Sequence, residues 1–282
     1  MYRCVASTRQ RRRPCMPSNE LSRVLANKPC GLLTDIDGTI SPIAPTPGTA
    51  QVSPVARAHL RHLARQLAVV GAISGRAASD AAALVGLPEL VYIGNHGMEE
   101  WKDGRAQPIA EAQLYVDAIA TVVAEAQAQI ALPGVLFENK GVTASVHFRL
   151  AAAPERVGAE IGAVLEALAA RHGLRVTGGR LVWEIRPPLA INKGTAMRRL
   201  VAEHRLRGAI FLGDDRTDTD AFSALRELRE HGQCTTLSVG VLAAETPQIV
   251  CELADVVVAG VAGVEQFLAE AVEAAGAQGQ TQ

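Results

Sequence analysis

The sequence predicts an α/β protein: a doubly wound parallel sheet with an α+β insert in its middle. Three observations predict it. Short apolar runs alternate with helical stretches in the first and last thirds of the chain, as when strands cross over through helices. Several of these runs break directly into polar clusters, where parallel sheets hold ligands at the carboxyl ends of their strands. The middle third instead reads helix-strand-strand-helix-strand-strand.

Taken in order, residues 30–34 form a buried strand followed by a Pro/Gly-rich loop to Pro54. Residues 54–67 place Leu60, Leu63, Ala64 and Leu67 on one helical face. The apolar run 68–73 ends at Ser74-Gly75-Arg76, and the run 90–93 ends at Gly94-Asn95-His96-Gly97. In the insert, a helical stretch over 109–130 precedes strands at 135–138 and 142–149. A second helix over 154–171 precedes strands at 174–177 and 181–186. The segment 143–150 alternates, with Thr143, Ser145, His147 and Arg149 on one face and Ala144, Val146, Phe148 and Leu150 on the other. A sheet so patterned packs one face on helices and leaves the other free. The first grammar resumes with a helix near 193–206, a strand at 209–212 running into Gly213-Asp214-Asp215, strands at 236–241 and 255–258, and a closing helix over 264–275.

Composition narrows the function classes. The 282 residues are 48% hydrophobic and 20% charged, which suits a soluble globular chain of a core plus an insert. No apolar run reaches the roughly 18 residues of a membrane-spanning helix, so no membrane partner is expected and the cytoplasm is the expected compartment. The net charge of -1 conceals an imbalance: residues 1–19 hold five arginines and no acid, leaving an acidic remainder. An acidic body with 4% aromatics argues against nucleic acid as a partner. The basic start has no apolar core of a secretory signal. It is expected to be a disordered leader over 1–20, with a targeting segment or a true start at Met16 as alternatives. Five scattered cysteines without paired spacing fit a reducing compartment.

The chemistry concentrates in two acidic clusters. Asp35-Ile36-Asp37-Gly38-Thr39 ends the first strand, and two carboxylates two residues apart leave a strand on the same side. One can attack phosphorus while the other trades a proton with the leaving oxygen; an Asp-Gly turn alone would give the same spelling. The second cluster holds Asp214, Asp215, Asp218 and Asp220. Brought beside the first, these carboxylates repel, and a hard divalent cation held by oxygen ligands, magnesium, relieves the repulsion. An acidic helix cap would account for part of the cluster, Asp220 in particular. Ser74 and Lys193 can cradle a phosphoryl group, although a helix cap and a surface lysine are simple alternatives. His96 and His147 lack the spacing of a metal pair and are each expected to be satisfied structural histidines, although His96 follows a strand and can line a cleft. Trp101 and Trp183 are expected to serve packing.

The D-x-D-G-T at 35–39, the Ser74-Gly75-Arg76 turn, Lys193 and the G-D-D-x-T-D at 213–218 resemble, in order, the four motifs of the haloacid dehalogenase superfamily. The segments DIDGTISP at 35–42, Gly94-Asn95-His96-Gly97, Glu138-Asn139-Lys140, 145–149 and 179–187, from Gly179-Arg180 through Glu184-Ile185-Arg186-Pro187, are similar to the trehalose-6-phosphate phosphatase family. The resemblance covers roughly residues 28–270 and implies a Rossmann-like core, expected at 21–103 and 187–275, with an inserted α+β cap domain at 104–186 and a flexible tail at 276–282. By resemblance, Asp35 would be the nucleophile and Asp37 the acid and base. Asp35, the Asp37 carbonyl and Asp214 would bind Mg2+, with Asp215 and Asp218 in support. Ser74 and Lys193 would hold the phosphoryl group, with Ile36, Gly75, Arg76 and His96 beside it. Glu138, Lys140, Arg149 and Glu184 would contact sugar hydroxyls. The family usually has an acid where Thr219 stands, a departure that spares the ligand positions.

The resemblance thus implies hydrolysis of trehalose 6-phosphate in trehalose biosynthesis, with the cap closing over the substrate about hinges at 102–104 and 187–188. Phosphatases for sucrose phosphate or mannosylglycerate phosphate are the nearest alternatives, and a non-catalytic sugar-phosphate sensor is a more distant one. A monomer is expected, with an oligomer left open.

Overall fold

The computed structural model describes residues 18–277. Its first helix α1 (Ser18–Ala26) leads into β1 (Cys30–Thr34). The chain continues through α2 (Pro54–Leu63), β2 (Val69–Ile73), α3 (Ala78–Val85), β3 (Val91–Gly94), β4 (Glu99–Lys102) and β5 (Arg105–Pro108). The insert then runs α4 (Ala110–Gln113), α5 (Val116–Gln129), β6 (Leu136–Asn139), β7 (Ala144–His147), α6 (Pro154–Arg171), β8 (Arg175–Gly179) and β9 (Val182–Arg186). The return is α7 (Lys193–Glu203), β10 (Gly208–Gly213), α8 (Asp218–Glu230), β11 (Thr235–Leu242), α9 (Gln248–Leu253), β12 (Val256–Ala259) and α10 (Gly260–Ala277).

Strands that are apolar on both faces need cover on both faces. β1 is CGLLT and buried throughout, and it lies inside an eight-stranded sheet ordered β12-β11-β10-β1-β2-β3-β4-β5. The six strands from β12 to β3 pair in parallel, and β4 and β5 add an antiparallel edge. Alternate residues then divide between two cores. Leu32, Ile210 and Val239 pack with Leu25 of α1, Leu60 of α2, Val85 of α3 and Phe267 of α10. Leu33, Ile73 and Phe211 pack with Met197 of α7, Phe222 of α8 and Val250 of α9. Phe211 and Phe222 meet edge to face with centroids 6.0 Å apart, a favoured arrangement for two aromatic quadrupoles.

The insert closes its own core. Its antiparallel sheet is ordered β6-β7-β9-β8. Ala144, Val146 and Ile185 face α5 and α6 through Ile119, Val122, Ile161 and Leu165. Trp183 packs here too, donating its indole N–H to the Gly158 carbonyl at 2.8 Å, and Trp101 packs against the first core. Leu150, placed by alternation on the buried face, is exposed because β7 stops at His147.

Three expected boundaries shift. The segment 102–104 is the tip of the β4–β5 hairpin, with Asp103 at φ 53° and Gly104 at φ 74°. Asp-Gly fits such a two-residue turn because both residues tolerate positive φ. Residues 105–108 therefore pair into the core sheet, and the chain departs for the cap after Pro108 rather than at a hinge at 102–104. Residues 18–20 begin α1, so a leader ending at 20 is too long; its first 17 residues lie outside those described. Gly276 and Ala277 finish α10, and 278–282 lie outside the described residues. Among the described residues no helix is long and apolar enough to cross a membrane.

Candidate active site

β1 lies between β10 and β2, so the residues that follow three parallel strands converge at one edge of the sheet: Asp35 after β1, Ser74 after β2 and Asp214 after β10. Gly38 makes the close approach possible. It sits at φ +85°, and a Cβ on it would overlap the Asp214 carboxylate, so both the turn and the contact require glycine.

Lys193 is the first residue of α7. Asn192 caps that helix by accepting the Thr195 amide at 2.9 Å, while Thr195 Oγ1 accepts the Asn192 amide at 3.0 Å. The cap fixes where the lysine leaves the helix. Lys193 is buried, with Nζ 2.9 Å from Asp35 Oδ1 and 2.6 Å from Asp218 Oδ1. The other Asp218 oxygen accepts the amides of Asp214 at 3.0 Å and Asp215 at 2.8 Å. Asp218 therefore organises the loop and aims the lysine.

Asp35, Asp214 and Asp218 each bring a carboxylate oxygen within 4.8 Å of the others, forming a candidate divalent-cation site. Burial, then repulsion by Asp218 and Asp35, pushes Asp214 above the ordinary carboxylate range. Burial does the same to Asp35, with Asp218 and Asp37 adding to it and Lys193 opposing. One lysine does not neutralise three buried carboxylates. A hard cation such as Mg2+ fits this all-oxygen donor set, with Asp35 and Asp214 as the better donors because Asp218 is already engaged. Thr39 Oγ1 donates to Asp214 Oδ1 at 3.3 Å and steadies it.

Asp37 stands apart from that group. Arg76 grips both of its oxygens, Nε at 2.6 Å and Nη2 at 2.7 Å, the fork geometry that guanidinium and carboxylate share. Ser74 is buried and its Oγ accepts the Arg76 amide at 3.3 Å, a local turn rather than a helix cap. The Gly75 carbonyl accepts from Lys140 Nζ at 2.8 Å.

The cap supplies the opposite wall of a cavity of about 550 Å³, within the range of small-molecule sites. Glu184 of β9 pairs with Lys140 Nζ at 3.0 Å and with His96 Nε2 at 3.1 Å. Burial alone would raise the Glu184 carboxyl, but Lys140 and His96 together hold it well below the ordinary range. Burial lowers His96 despite Glu184 beside it. Glu138 Oε2 lies 2.9 Å from His147 Nε2, and Arg149 donates to the Arg180 carbonyl at 3.3 Å. Asn95 and His96, at φ 49° and 57°, are non-glycine residues in the left-handed region, a backbone cost that clusters at functional sites. Asn95 joins core to cap by donating to the Lys140 carbonyl at 3.1 Å and accepting from Thr143 Oγ1 at 2.5 Å.

Asp35, Asp37, Ser74, Gly75, Arg76, His96, Glu138, Lys140, Arg149, Glu184, Lys193, Asp214 and Asp215 all line this cavity. Ile36 does not: in the bend that follows β1 its side chain is buried fully in the first core, so only its backbone is left for a ligand. Asp218 lies behind the lining. Arg180 and Arg186 also line the cavity, yet neither stands out in the sequence as a site residue. The signals for Arg180 are its membership of the family-like segment 179–187 and its place after Gly178-Gly179 in a tight turn between two short strands.

The sequence matches the trehalose-phosphatase family over residues 33–248. A trehalose-phosphate phosphatase of Mycobacterium marinum is 38% identical over 198 residues, 68% of this chain and 50% of that protein. One of Mycobacterium avium is 35% identical over 209 residues, 72% of this chain and 53% of that protein. The chain thus spans about half the length of these relatives. Among solved structures, a trehalose-6-phosphate phosphatase related protein superposes with a TM-score of 0.74 at 22% identity, covering 89% of this chain and 100% of that one. The C-terminal domain of the Candida albicans trehalose-6-phosphate phosphatase gives 0.73 at 21%, covering 92% and 98%. Both are likenesses of fold.

Proposed function

We propose, since the chain belongs to the trehalose-phosphatase family, that it hydrolyses trehalose 6-phosphate to trehalose and phosphate. The observation that carries the proposal is the facing of two sets of groups across one cavity: Asp35 and Asp37 at the end of the central strand, and Glu138, Lys140, Arg149 and Glu184 on the cap. Asp35 Oδ attacks phosphorus as the bond to the sugar oxygen breaks, and Asp37 gives that oxygen its proton. In the second half Asp37 takes a proton from water, whose oxygen attacks the aspartyl phosphate and frees phosphate and the Asp35 carboxylate. Arg76, on both oxygens of Asp37, sets its direction and has to release one oxygen before Asp37 can carry the proton. Lys193 and the Ser74 hydroxyl hold the phosphoryl group. A divalent cation, when bound by Asp35, the Asp37 carbonyl and Asp214, with Asp215 near, neutralises phosphoryl charge.

Glu138, Lys140, Arg149 and Glu184 offer acceptors and donors in the pattern that sugar hydroxyls need, and the cap excludes water once closed. The substrate partner is a small sugar phosphate; the buried, unpaired Cys30 and Cys234 support a reducing, cytoplasmic setting, and a monomer is the simplest form. Phosphate release in magnesium should be fastest with trehalose 6-phosphate in a panel with sucrose 6-phosphate and glucose 6-phosphate. Asp35→Asn should abolish it. Faster turnover of another sugar would overturn the substrate, and activity of more than a few per cent in Asp35→Asn would overturn the nucleophile.

A further inference from the structure

Four carboxylates meet at the sheet edge, Asp35, Asp214, Asp215 and Asp218, and the core contributes Lys193 against them. A second positive charge comes from the cap. Arg180 sits in the turn that joins β8 to β9, beside Leu181 at φ 57°. Its Nη2 lies 3.2 Å from Asp214 Oδ2, 3.2 Å from the Asp214 carbonyl and 3.3 Å from Asp215 Oδ1.

The manner of this contact differs from that of Arg76. Arg76 engages Asp37 fork to fork through two nitrogens. Arg180 reaches three acceptors with one nitrogen, and its buried Nε has no hydrogen-bond partner among the described residues. A guanidinium that leaves a buried donor unused is held by charge more than by geometry. Such a contact is replaceable.

We propose that Arg180 is the counter-ion of the acidic cluster when no divalent cation is bound, and that cation and guanidinium compete for Asp214 and Asp215. The inference rests on the cation site assigned above. A cation on Asp214 and a guanidinium on the same carboxylate are like charges within a few ångströms, so binding of one expels the other. Arg180 belongs to the cap and its carbonyl accepts from Arg149. Its release therefore frees the β8–β9 tip together with a residue of the sugar-facing wall. Cation binding and cap position are coupled through one side chain, which makes Arg180 a positioning residue.

The test is titration of the full chain with Mn2+ alone, a hard cation that takes the same oxygen ligands and whose free form is read by its magnetic resonance signal. Arg180→Gln should tighten Mn2+ binding about tenfold by removing the competing charge. Arg180→Lys, which keeps the charge, should stay within about threefold of the parent chain, as should Arg216→Gln, an exposed arginine on the loop that carries Asp214 and Asp215. Equal affinity in Arg180→Gln and the parent chain overturns the proposal, as does weaker binding. Equal tightening in Arg216→Gln overturns it too, because the general field would then suffice. In the parent chain, saturating Mn2+ should speed amide exchange over residues 178–182, a measurement independent of any variant; slower or unchanged exchange there also refutes the coupling. Failure of the parent chain to bind Mn2+ overturns the cation site itself and the inference with it. Loss of preference in the sugar panel, by contrast, touches only the substrate.

Discussion

Lys193→Met removes the charge that lies between Asp35 and Asp218 while keeping most of the side-chain volume. Nζ is 2.9 Å from one carboxylate and 2.6 Å from the other, and all three residues are buried. Breaking a buried pair by removing one partner costs about 3–5 kcal/mol, because the remaining charge is stranded. At about 2–4 °C per kcal/mol for a chain of this class, the melting temperature should fall by about 6–20 °C. Burial alone would lower the lysine's affinity for its proton, but Asp218 and Asp35 together raise it above the ordinary value. On the lysine's side the contribution is thus fully present below the unfolded lysine's pKa, about 10.4, and is lost as pH rises through the folded value. On the carboxylate side it also fades as pH falls and Asp35, pushed up to about 7 by burial, takes a proton. Thermal unfolding followed by circular dichroism in a chelator reads the effect most fully at about pH 9, above the values of about 7 and about 8 to which burial pushes Asp35 and Asp214. Asp218→Asn in the Lys193→Met background should cost much less than in the parent chain, a coupling of about 2 kcal/mol. A fall of less than about 2 °C, or additivity in the double variant, would refute the view that the lysine's charge holds the cluster together.

Gly38→Ala should lose cation binding and activity together while the fold persists, because a Cβ there overlaps the Asp214 carboxylate and φ is +85°; Mn2+ titration beside a melting curve checks it. Glu184→Ala should lower turnover of trehalose 6-phosphate about a hundredfold or more, a scale set by lost positioning, yet spare a small aryl phosphate; equal loss on both would remove Glu184 from sugar recognition. Asp255 accepts both terminal nitrogens of Arg229 at 3.0 and 2.9 Å, together with the amide and hydroxyl of Ser238. Burial would raise its carboxyl, but Arg229 and Ser238 hold it below the ordinary range. A depressed folded-state value means stability present above the unfolded pKa of about 3.9 and lost as pH falls through the folded one. Asp255→Asn should therefore cost about 2 kcal/mol at pH 7 and progressively less below pH 4 by urea unfolding.

What the sequence made legible follows from how local each cause is. β1 is readable because five consecutive residues suit burial on both faces, and α6 because Pro154 opens it and apolar residues recur along one side. The D-x-D-G turn and the acidic cluster are readable because each motif lies within eight residues. Strand order is not local: that β10 and β2 flank β1, which alone brings Asp214 and Ser74 beside Asp35, follows from packing. The hairpin at 102–105 was signalled by Asp-Gly, but a hinge and a hairpin share that spelling, and only pairing through Pro108 separates them.

The same contrast explains why Ile36 and Arg180 fall on opposite sides of the site. Ile36 stands between two functional aspartates, and motif membership carries it into the site, yet the bend after β1 buries its side chain in the core. Arg180 stands 34 residues before its partner Asp214, on the cap, and although it falls in a segment that resembles the family, nothing nearby in sequence ties it to the acidic cluster. Proximity in a motif therefore fixes the backbone, whereas the charge balance of the finished cluster decides which distant side chain is drawn in. Four carboxylates against one core lysine leave a deficit that proton uptake meets in part and that a cation or a basic residue on the cap meets at higher pH. That requirement identifies the kind of residue to look for on any tight turn of the insert that faces Asp214, and Arg180 is the arginine that occupies such a turn.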